Sequence, residues 1–111
     1  MIIKKIAIGN SEEAFIEERF QNKTNIIFSN DNNRGKTIVM QSIAHSIGNE
    51  SIFPSTFDSK DYYFYSSIDF NGVNFEFLRK KNSILVLHNE KLNVFSSISE
   101  FKYFLLKLIY N

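Results

Sequence analysis

Residues 30–37, with the sequence Asn-Asp-Asn-Asn-Arg-Gly-Lys-Thr, constrain the fold of this chain more than any other segment. An apolar, strand-like run at residues 24–29 precedes them, and a helix-like run at residues 37–47 follows. The segment fits the phosphate-loop pattern G-x-x-x-x-G-K-[ST], except that Asn30 stands where the pattern has its first glycine. The sequence therefore predicts a strand–loop–helix unit whose loop binds the phosphates of a nucleotide.

The residue types in this loop suit the binding of a polyanion at a helix N-terminus, where backbone N–H groups and the helix dipole favour negative charge. Gly35 has no Cβ to obstruct the phosphates, Lys36 would reach the β- and γ-phosphates, and the Thr37 hydroxyl would bind Mg²⁺. Asn30 can still close the loop, because asparagine adopts left-handed backbone more readily than most residues. The candidate nucleotide-binding residues are Asn30, Asn32, Asn33, Arg34, Gly35, Lys36 and Thr37, and Thr37 is also the candidate metal ligand.

Composition sets the broad class of the protein. A chain of 111 residues is expected to form one domain, and 12 phenylalanines supply bulk for its core. The net charge of +1 gives no overall field that would attract nucleic acid or a membrane. The sequence has no cysteine, which excludes disulfides and thiolate metal sites. We see no signal peptide and no membrane span, and expect a cytoplasmic protein without a membrane partner.

The rest of the chain alternates between strand and turn signals. Strands are predicted at residues 2–8, 84–87 and 92–95, while residues 14–20 fit either a short strand or a helical turn. The clearest hairpin joins residues 62–70 to 73–79 through Asn71-Gly72, the preferred two-residue turn. This turn sets the pairs Phe70–Val73, Ile68–Phe75 and Ser66–Phe77 on one apolar face.

Two helix boundaries have recognisable signals. Gly48 is placed to end the helix that follows the loop, because a glycine just beyond a helix adopts left-handed backbone easily. Ser97 and Glu100 have the spacing of a capping box, and the apolar residues after them predict a C-terminal helix.

This arrangement of strand, loop, helix and aromatic hairpin resembles the N-terminal lobe of SMC-like and RecF-like ATPases. These are P-loop ATPases of the ABC class that act in DNA repair, chromosome maintenance and antiphage defence. Their loop commonly has the form G-x-N-x-x-G-K-[ST], which Asn32, Gly35, Lys36 and Thr37 match and Asn30 does not. The resemblance implies ATP and Mg²⁺ as cofactors and an α/β fold: a P-loop NTPase-like mixed sheet with its loop helix, an antiparallel β-ribbon and a C-terminal helix.

Two parts of that family's site are missing from the sequence. No apolar strand ends in an acidic pair, and no Ser-Gly-Gly signature occurs. The resemblance therefore implies that residues 1–111 form a single partial domain, the N-terminal ATP-binding lobe of a larger ATPase, and that this chain alone turns over little or no ATP. The expected partner of this chain is the missing C-terminal lobe or a second ATPase head, and the complete protein is expected to be a dimer. The resemblance also allows DNA as a partner, but the sequence does not decide whether DNA is bound.

Two other functional classes remain as alternatives. A small P-loop kinase or GTPase fragment would need parallel βαβ units after residue 48, and the predicted hairpin argues against them. A degenerate, non-hydrolysing protein-interaction module would explain Asn30 and the missing acidic strand.

Several further residues carry chemistry with weaker signals. The run Arg79-Lys80-Lys81 could touch phosphate, although a charged hairpin end is the commoner explanation. The aromatic residues 62–65 could stack on single-stranded nucleic acid, although strand packing is favoured. His45 and His88 have no third ligand at a metal-binding spacing, so packing roles are expected.

Overall fold

The computed structural model describes residues 2–18, 41–49, 53 and 57–110. Within these residues, six strands form one sheet: β1 (Ile2–Gly9), β2 (Ala14–Glu17), β3 (Tyr63–Phe70), β4 (Val73–Lys80), β5 (Ser83–His88) and β6 (Lys91–Phe95). Two helical segments accompany the sheet in the described part, α1 at residues 41–46 and α2 at Ile98–Tyr110, together with a short 3₁₀ turn at Ser59–Asp61.

The strands lie in the order β2-β1-β3-β4-β5-β6, and each pair of neighbours is antiparallel. The expectation of an α/β, P-loop NTPase-like mixed sheet is therefore wrong. The physical reason lies in the connections, since three successive turns of two residues join β3 to β6, whereas a parallel pair needs a crossover of a dozen or more residues. The strand expected to feed the loop, at residues 24–29, lies outside the described residues.

Backbone conformation at these turns explains their tightness. Asn71 and Gly72 have φ angles of 51° and 79°, as a turn of the mirror-image type requires, and this turn type matches the twist of antiparallel strands. The predicted hairpin is confirmed, with Phe70 opposite Val73 and Ser66 opposite Phe77. Lys81 also has a positive φ, of 55°, in the next turn.

Three other predicted strands are confirmed: residues 2–8 lie within β1, and the strands predicted at 84–87 and 92–95 lie within β5 and β6. Of the two alternatives left open for residues 14–20, the structure has a strand over Ala14–Glu17, while residues 19 and 20 lie outside the described part. The helix α2 begins after Ser97, whose hydroxyl oxygen accepts a hydrogen bond of 3.2 Å from the backbone N–H of Glu100. This is the N-terminal half of the predicted capping box.

The core lies on the sheet face against which both helices pack. Alternate residues of β3, β4 and β5 point to this face, as the two-residue period of a strand requires. The side chain of Phe101 from α2 is fully buried and contacts Phe77 and Phe95 edge to face, with ring centroids 6.0 and 5.7 Å apart. The buried hydrophobic cluster comprises Ile68, Phe75, Phe77, Ile84, Val86 and Phe101.

Candidate functional site

The sequence-predicted nucleotide site lies outside the part of the chain that the structure describes. This applies to Asn30, Asn32, Asn33, Arg34, Gly35, Lys36 and Thr37 alike, including Thr37 as the metal ligand. The nearest described element is α1, whose helical residues 41–46 begin four positions beyond Thr37. How α1 is held on the sheet therefore bears on the site, because a phosphate loop is followed by its helix.

A buried arginine at the end of β4 caps the C-terminus of α1. Arg79 is 4% exposed, and its Nη1 donates hydrogen bonds to the carbonyl oxygens of His45, at 2.9 Å, and Asn49, at 3.0 Å. The last carbonyls of a helix have no partner within it and carry partial negative charge, so a guanidinium is a favourable cap. Arg79 thus contacts backbone carbonyls here, and it does so on the helix side of the sheet.

The same guanidinium also fixes the turn between β4 and β5. Its Nε donates a hydrogen bond of 2.7 Å to the carbonyl oxygen of Lys81. Arg79 therefore bridges α1 and the turn that carries Lys81. Arg79, Lys80 and Lys81 are consecutive in the sequence and form one basic run there. In the structure, strand alternation places the Arg79 side chain on the helix side of the sheet and the Lys80 side chain on the opposite face.

Two buried serines join α1 to the centre of the sheet. Ser46 of α1 donates its hydroxyl hydrogen to the carbonyl oxygen of Ile43 at 2.8 Å. Ser66 of β3 lies 2.8 Å from the Ser46 oxygen, so Ser66 is the donor in that contact. Both serines are fully buried, and a buried hydroxyl needs a hydrogen-bond partner. These two contacts give each hydroxyl such a partner.

Gly48 lets the chain leave α1 in close contact with α2. Its φ of +92° is the left-handed conformation predicted for a helix-ending glycine. A Cβ at this position would lie 2.7 Å from two ring carbons of Phe101. Gly48 is thus needed for its backbone conformation and for the room that it leaves.

His45 lies in an aromatic cluster at the end of α1. Its ring contacts Phe53 and Phe64 edge to face, with centroids 5.4 and 4.6 Å apart. Burial, and then the positive charge of Arg79, lower the pKa of His45 to about 4, while a backbone hydrogen bond with Asn49 acts in the opposite direction. His45 is therefore a neutral packing residue near pH 7.

The second histidine packs elsewhere. His88 stacks on Phe75 with centroids 4.8 Å apart and also lies beside Phe104. Within the described ranges, no group of three or more histidine, cysteine, aspartate or glutamate side chains is arranged to hold a metal ion.

The aromatic residues 62–65 divide between the two faces of the sheet. Phe64 is fully buried on the helix side, whereas Tyr63 is 47% exposed on the opposite face. Tyr65 donates a hydrogen bond to Glu76, and burial followed by this hydrogen bond raises the pKa of the Tyr65 hydroxyl to about 12. Tyr62 stacks on Phe57 and donates a hydrogen bond to Glu13. Only Tyr63 leaves much ring surface exposed.

Sequence reasoning missed the two serines and the contact between Gly48 and Phe101. A signal for Ser66 was present, because it is a polar residue on the apolar face of the predicted hairpin, between Phe64 and Ile68. A buried hydroxyl in that position needs a partner from another element. The identity of that partner depends on how α1 packs, which periodicity does not specify.

No helix in the described residues is both long and apolar enough to cross a membrane. Comparisons with protein-family models, with curated proteins and with solved structures found no match to this chain.

Proposed function

We propose that this chain binds Mg-ATP through the variant phosphate loop at residues 30–37. The observation that carries the proposal is the motif Gly35-Lys36-Thr37, which ends four positions before the described helical residues 41–46, a segment that is fixed to the sheet at its C-terminal end. The proposal does not depend on a P-loop NTPase-like mixed sheet, which the described residues do not form. It depends on a cluster of backbone amides at a helix N-terminus, together with an amine and a hydroxyl.

Each residue has a separate role in the proposed site. The Lys36 ammonium would pair with the β- and γ-phosphates, and the Thr37 hydroxyl would bind Mg²⁺, which prefers hard oxygen ligands and keeps several waters. Gly35 would allow the backbone to approach the phosphates closely. The Asn30 side chain would restrict the loop at a position where glycine is usual, and we expect weaker binding as a result.

The packing of α1 supports the proposal. Arg79, Ser66 and Gly48 hold the C-terminal part of the helix against the sheet through hydrogen bonds and close packing. A helix held in this way loses little further freedom when a ligand binds at its start, which lowers the entropic cost of binding.

The larger assignment follows from the resemblance. We propose that the chain is the N-terminal portion of a cytoplasmic SMC-like or RecF-like ATPase that acts in DNA repair, DNA maintenance or antiphage defence. A C-terminal lobe or a second ATPase head would supply the acidic pair and the signature motif, and the complete protein would be a dimer. Phosphoryl transfer needs those groups to orient the metal and the attacking water, so this chain alone would bind ATP without appreciable turnover.

Isothermal titration calorimetry with ATP and Mg²⁺ tests nucleotide binding. We expect a saturable signal that Lys36→Ala weakens by at least about tenfold, since one charge-assisted phosphate contact is lost. Asn30→Gly, which restores the usual glycine, should tighten binding, and chelation of Mg²⁺ should weaken it. Lys91→Ala removes an exposed lysine from β6 and is the charge-matched control. Equal signals from wild type and Lys36→Ala, or none from either, would reject the proposal.

A specific observation also favours a second candidate, the non-hydrolysing interaction module. Leu92 and Val94 of the edge strand β6 are 63% and 66% exposed, and Leu87 lies beside Leu92 on the same face. Exposed apolar side chains on an edge strand are typical of protein-binding surfaces. Stable co-purification of a defined protein without nucleotide, together with no gain of ATP binding in Asn30→Gly, would support this candidate over the first.

The kinase or GTPase alternative is not favoured. It requires parallel βαβ units after residue 48, whereas the described strands beyond that point are joined by short antiparallel turns.

A further inference from the structure

We propose that a cleft on the sheet face opposite the helices binds single-stranded nucleic acid. The cleft has a volume of about 390 Å³. Its described lining consists of Tyr63, Leu78, Lys80, Lys81, Ser83 and Leu85, which together we call the lysine–tyrosine cleft. This proposal is independent of nucleotide binding at residues 30–37, because none of the lining residues belongs to that loop.

Strand register brings the lining residues together. Lys80 is opposite Ser83, and Leu78 is opposite Leu85, in the antiparallel pair of β4 and β5. Tyr63 follows next along β3, because the adjacent pair is Phe64 with Arg79. Since side chains alternate between faces, Tyr63 and Lys80 lie on the face opposite Phe64 and Arg79. The cleft is thus a consequence of the hairpin register.

The cleft combines an aromatic ring with a cation. The Nζ atom of Lys80 lies 4.5 Å from the centroid of the Tyr63 ring, and 47% of Tyr63 is exposed. An ammonium over an aromatic ring is attracted to its negative face. The same ammonium can turn outwards to a phosphate, which leaves the ring free to stack on a base.

Charge and shape favour a nucleic acid over other ligands. Both charged residues in the described lining, Lys80 and Lys81, are positive, so the ligand is expected to be anionic. The Tyr63 ring supplies a flat stacking surface, and Leu78 and Leu85 supply an apolar floor. Proteins that bind single strands combine these elements, with bases stacked on aromatic rings and phosphates next to lysines.

A single strand fits the cleft better than a duplex. Bases in a duplex are stacked on each other, so the face of a base is not accessible to Tyr63. Duplex binding without base contacts depends on many phosphate contacts, whereas this cleft offers two lysines on a chain with a net charge of only +1. We therefore expect stacking to supply much of the affinity.

The turn that borders the cleft is fixed from the other side of the sheet. The Nε of Arg79 donates a hydrogen bond of 2.7 Å to the carbonyl oxygen of Lys81, whose φ is 55°. The backbone that carries Lys81 is thereby fixed before any ligand binds. Its side chain is free of that constraint and can reach a phosphate.

The chain contains a second lysine–tyrosine pair that serves as a matched control. In α2, the Nζ of Lys107 lies 4.8 Å from the centroid of the Tyr103 ring, and Tyr103 is 62% exposed. That pair lies in a wider cleft that also contains the carboxylate of Glu100. It has the same two side chains in similar geometry, but an acidic neighbour and a helical location.

Fluorescence anisotropy with a short labelled oligothymidylate at low salt tests the proposal on the full chain. We expect Lys80→Ala combined with Lys81→Ala to weaken binding by about tenfold and to make the slope of log K against log salt shallower by about 1.4, at about 0.7 per phosphate contact. Tyr63→Ala should weaken binding by about five- to a hundredfold through loss of base stacking. The control variants Lys107→Ala and Tyr103→Ala should change affinity by less than about twofold.

Further measurements separate loss of binding from loss of folding, RNA from DNA, and this cleft from the nucleotide loop. The urea midpoint of each variant shows whether it is folded, and Tyr63→Leu keeps the apolar bulk if Tyr63→Ala does not fold. A labelled oligouridylate distinguishes RNA from DNA, and preference for either single strand supports the proposal. Lys36→Ala should bind the oligonucleotide as wild type does, so failure at the nucleotide loop is separable from failure here. The proposal is overturned if wild type does not bind, if the α2 variants lose as much affinity as the cleft variants, or if a duplex binds as tightly as the single strand.

Discussion

The guanidinium of Arg79 donates a hydrogen bond of 2.9 Å to the main-chain oxygen of His45, and so joins the end of β4 to the end of α1. Besides a hydrogen bond to the carbonyl of Asn49, the same side chain donates one to the carbonyl of Lys81 in the next turn. One buried residue thus contacts both the helix that follows the phosphate-loop motif and the turn that borders the lysine–tyrosine cleft. Changes at Arg79 are therefore expected to affect the stability of the whole sheet end.

Replacement of Arg79 by methionine should lower the free energy of unfolding by about 2–4 kcal/mol. The variant keeps much of the side-chain volume but removes the Arg79 donor from the carbonyls of Asn49 and Lys81, at roughly 1–3 kcal/mol for each one that stays buried. The carbonyl of His45 keeps the hydrogen bond that it accepts from the backbone N–H of Gly48. Arg79→Lys should recover part of the loss, because an ammonium can still donate but cannot reach all three carbonyls. Urea denaturation measures both values. The control is Lys80→Ala, on the opposite face of the same strand, which should lower the free energy of unfolding by less than about 1 kcal/mol. A loss for Arg79→Met no greater than that for Lys80→Ala would contradict the capping role.

Gly48→Ala should be more destabilising than Gly72→Ala. Both glycines have positive φ angles, of +92° and +79°, so an alanine at either position costs about 1–2 kcal/mol in backbone strain. Only at Gly48 would the new Cβ meet a neighbour, the Phe101 ring at 2.7 Å, whereas Gly72 has nothing within 4 Å. The overlap should add about 1–3 kcal/mol. Thermal or urea unfolding of the two variants gives the comparison, and equal losses would mean that α2 can move away from Gly48 without cost.

Ser46 and Ser66 should be energetically coupled. Ser66→Ala removes a donor to Ser46 and should cost about 1 kcal/mol, whereas Ser46→Ala leaves the buried Ser66 hydroxyl without its acceptor and should cost about 1–3 kcal/mol. In the double variant the second loss is largely avoided, so the two effects should fall short of additivity by at least about 0.5 kcal/mol. A double-mutant cycle by urea denaturation measures this coupling. Strict additivity would show that the 2.8 Å contact contributes nothing to the docking of α1.

Much of the sheet could be predicted because its signals are local. The turn at Asn71-Gly72 fixes a register, and that register places every residue of β3 and β4 on a known face. Ser97 marks the start of α2 in the same way, through a hydrogen bond to a residue three positions on. In each case the determining residues lie within a few positions of the structure that they specify.

The sequence signals did not determine whether the sheet is mixed or antiparallel. The mixed sheet was inferred from a resemblance carried by about eight residues of the loop, whereas the connections from residue 70 onwards are too short for parallel neighbours. The residue types of the lysine–tyrosine cleft could be recognised in the sequence, but their proximity could not. Lys80 and Tyr63 belong to different runs of the sequence, one basic and one aromatic, and the pairing of β3 with β4 brings them together.

Stability should fall with decreasing pH in a way that depends on His45. Its pKa is lowered from 6.5 to about 4 in the folded protein, because its partly buried ring lies among aromatic side chains and beside the positive Arg79. Above about pH 6.5 the ring is neutral in both states and contributes nothing to the pH dependence. Between about pH 6.5 and 4 the unfolded chain binds the proton and the folded protein does not, so acidification favours unfolding.

The expected size of this effect is about 1–2 kcal/mol between pH 7 and pH 4. The lowered pKa of His45 corresponds to about 3 kcal/mol of unfolding free energy if the ring is fully shielded from solvent. The ring is partly exposed to solvent, which reduces this contribution. Urea denaturation of wild type and His45→Gln at a series of pH values isolates the contribution, since the carboxylates titrate in both proteins. The difference in unfolding free energy between the two should be constant above pH 7 and should shift in favour of His45→Gln as the pH falls from 6.5 to 4. Parallel pH profiles would mean that His45 takes up its proton as readily in the folded protein as in the unfolded chain, and that the aromatic cluster admits the imidazolium.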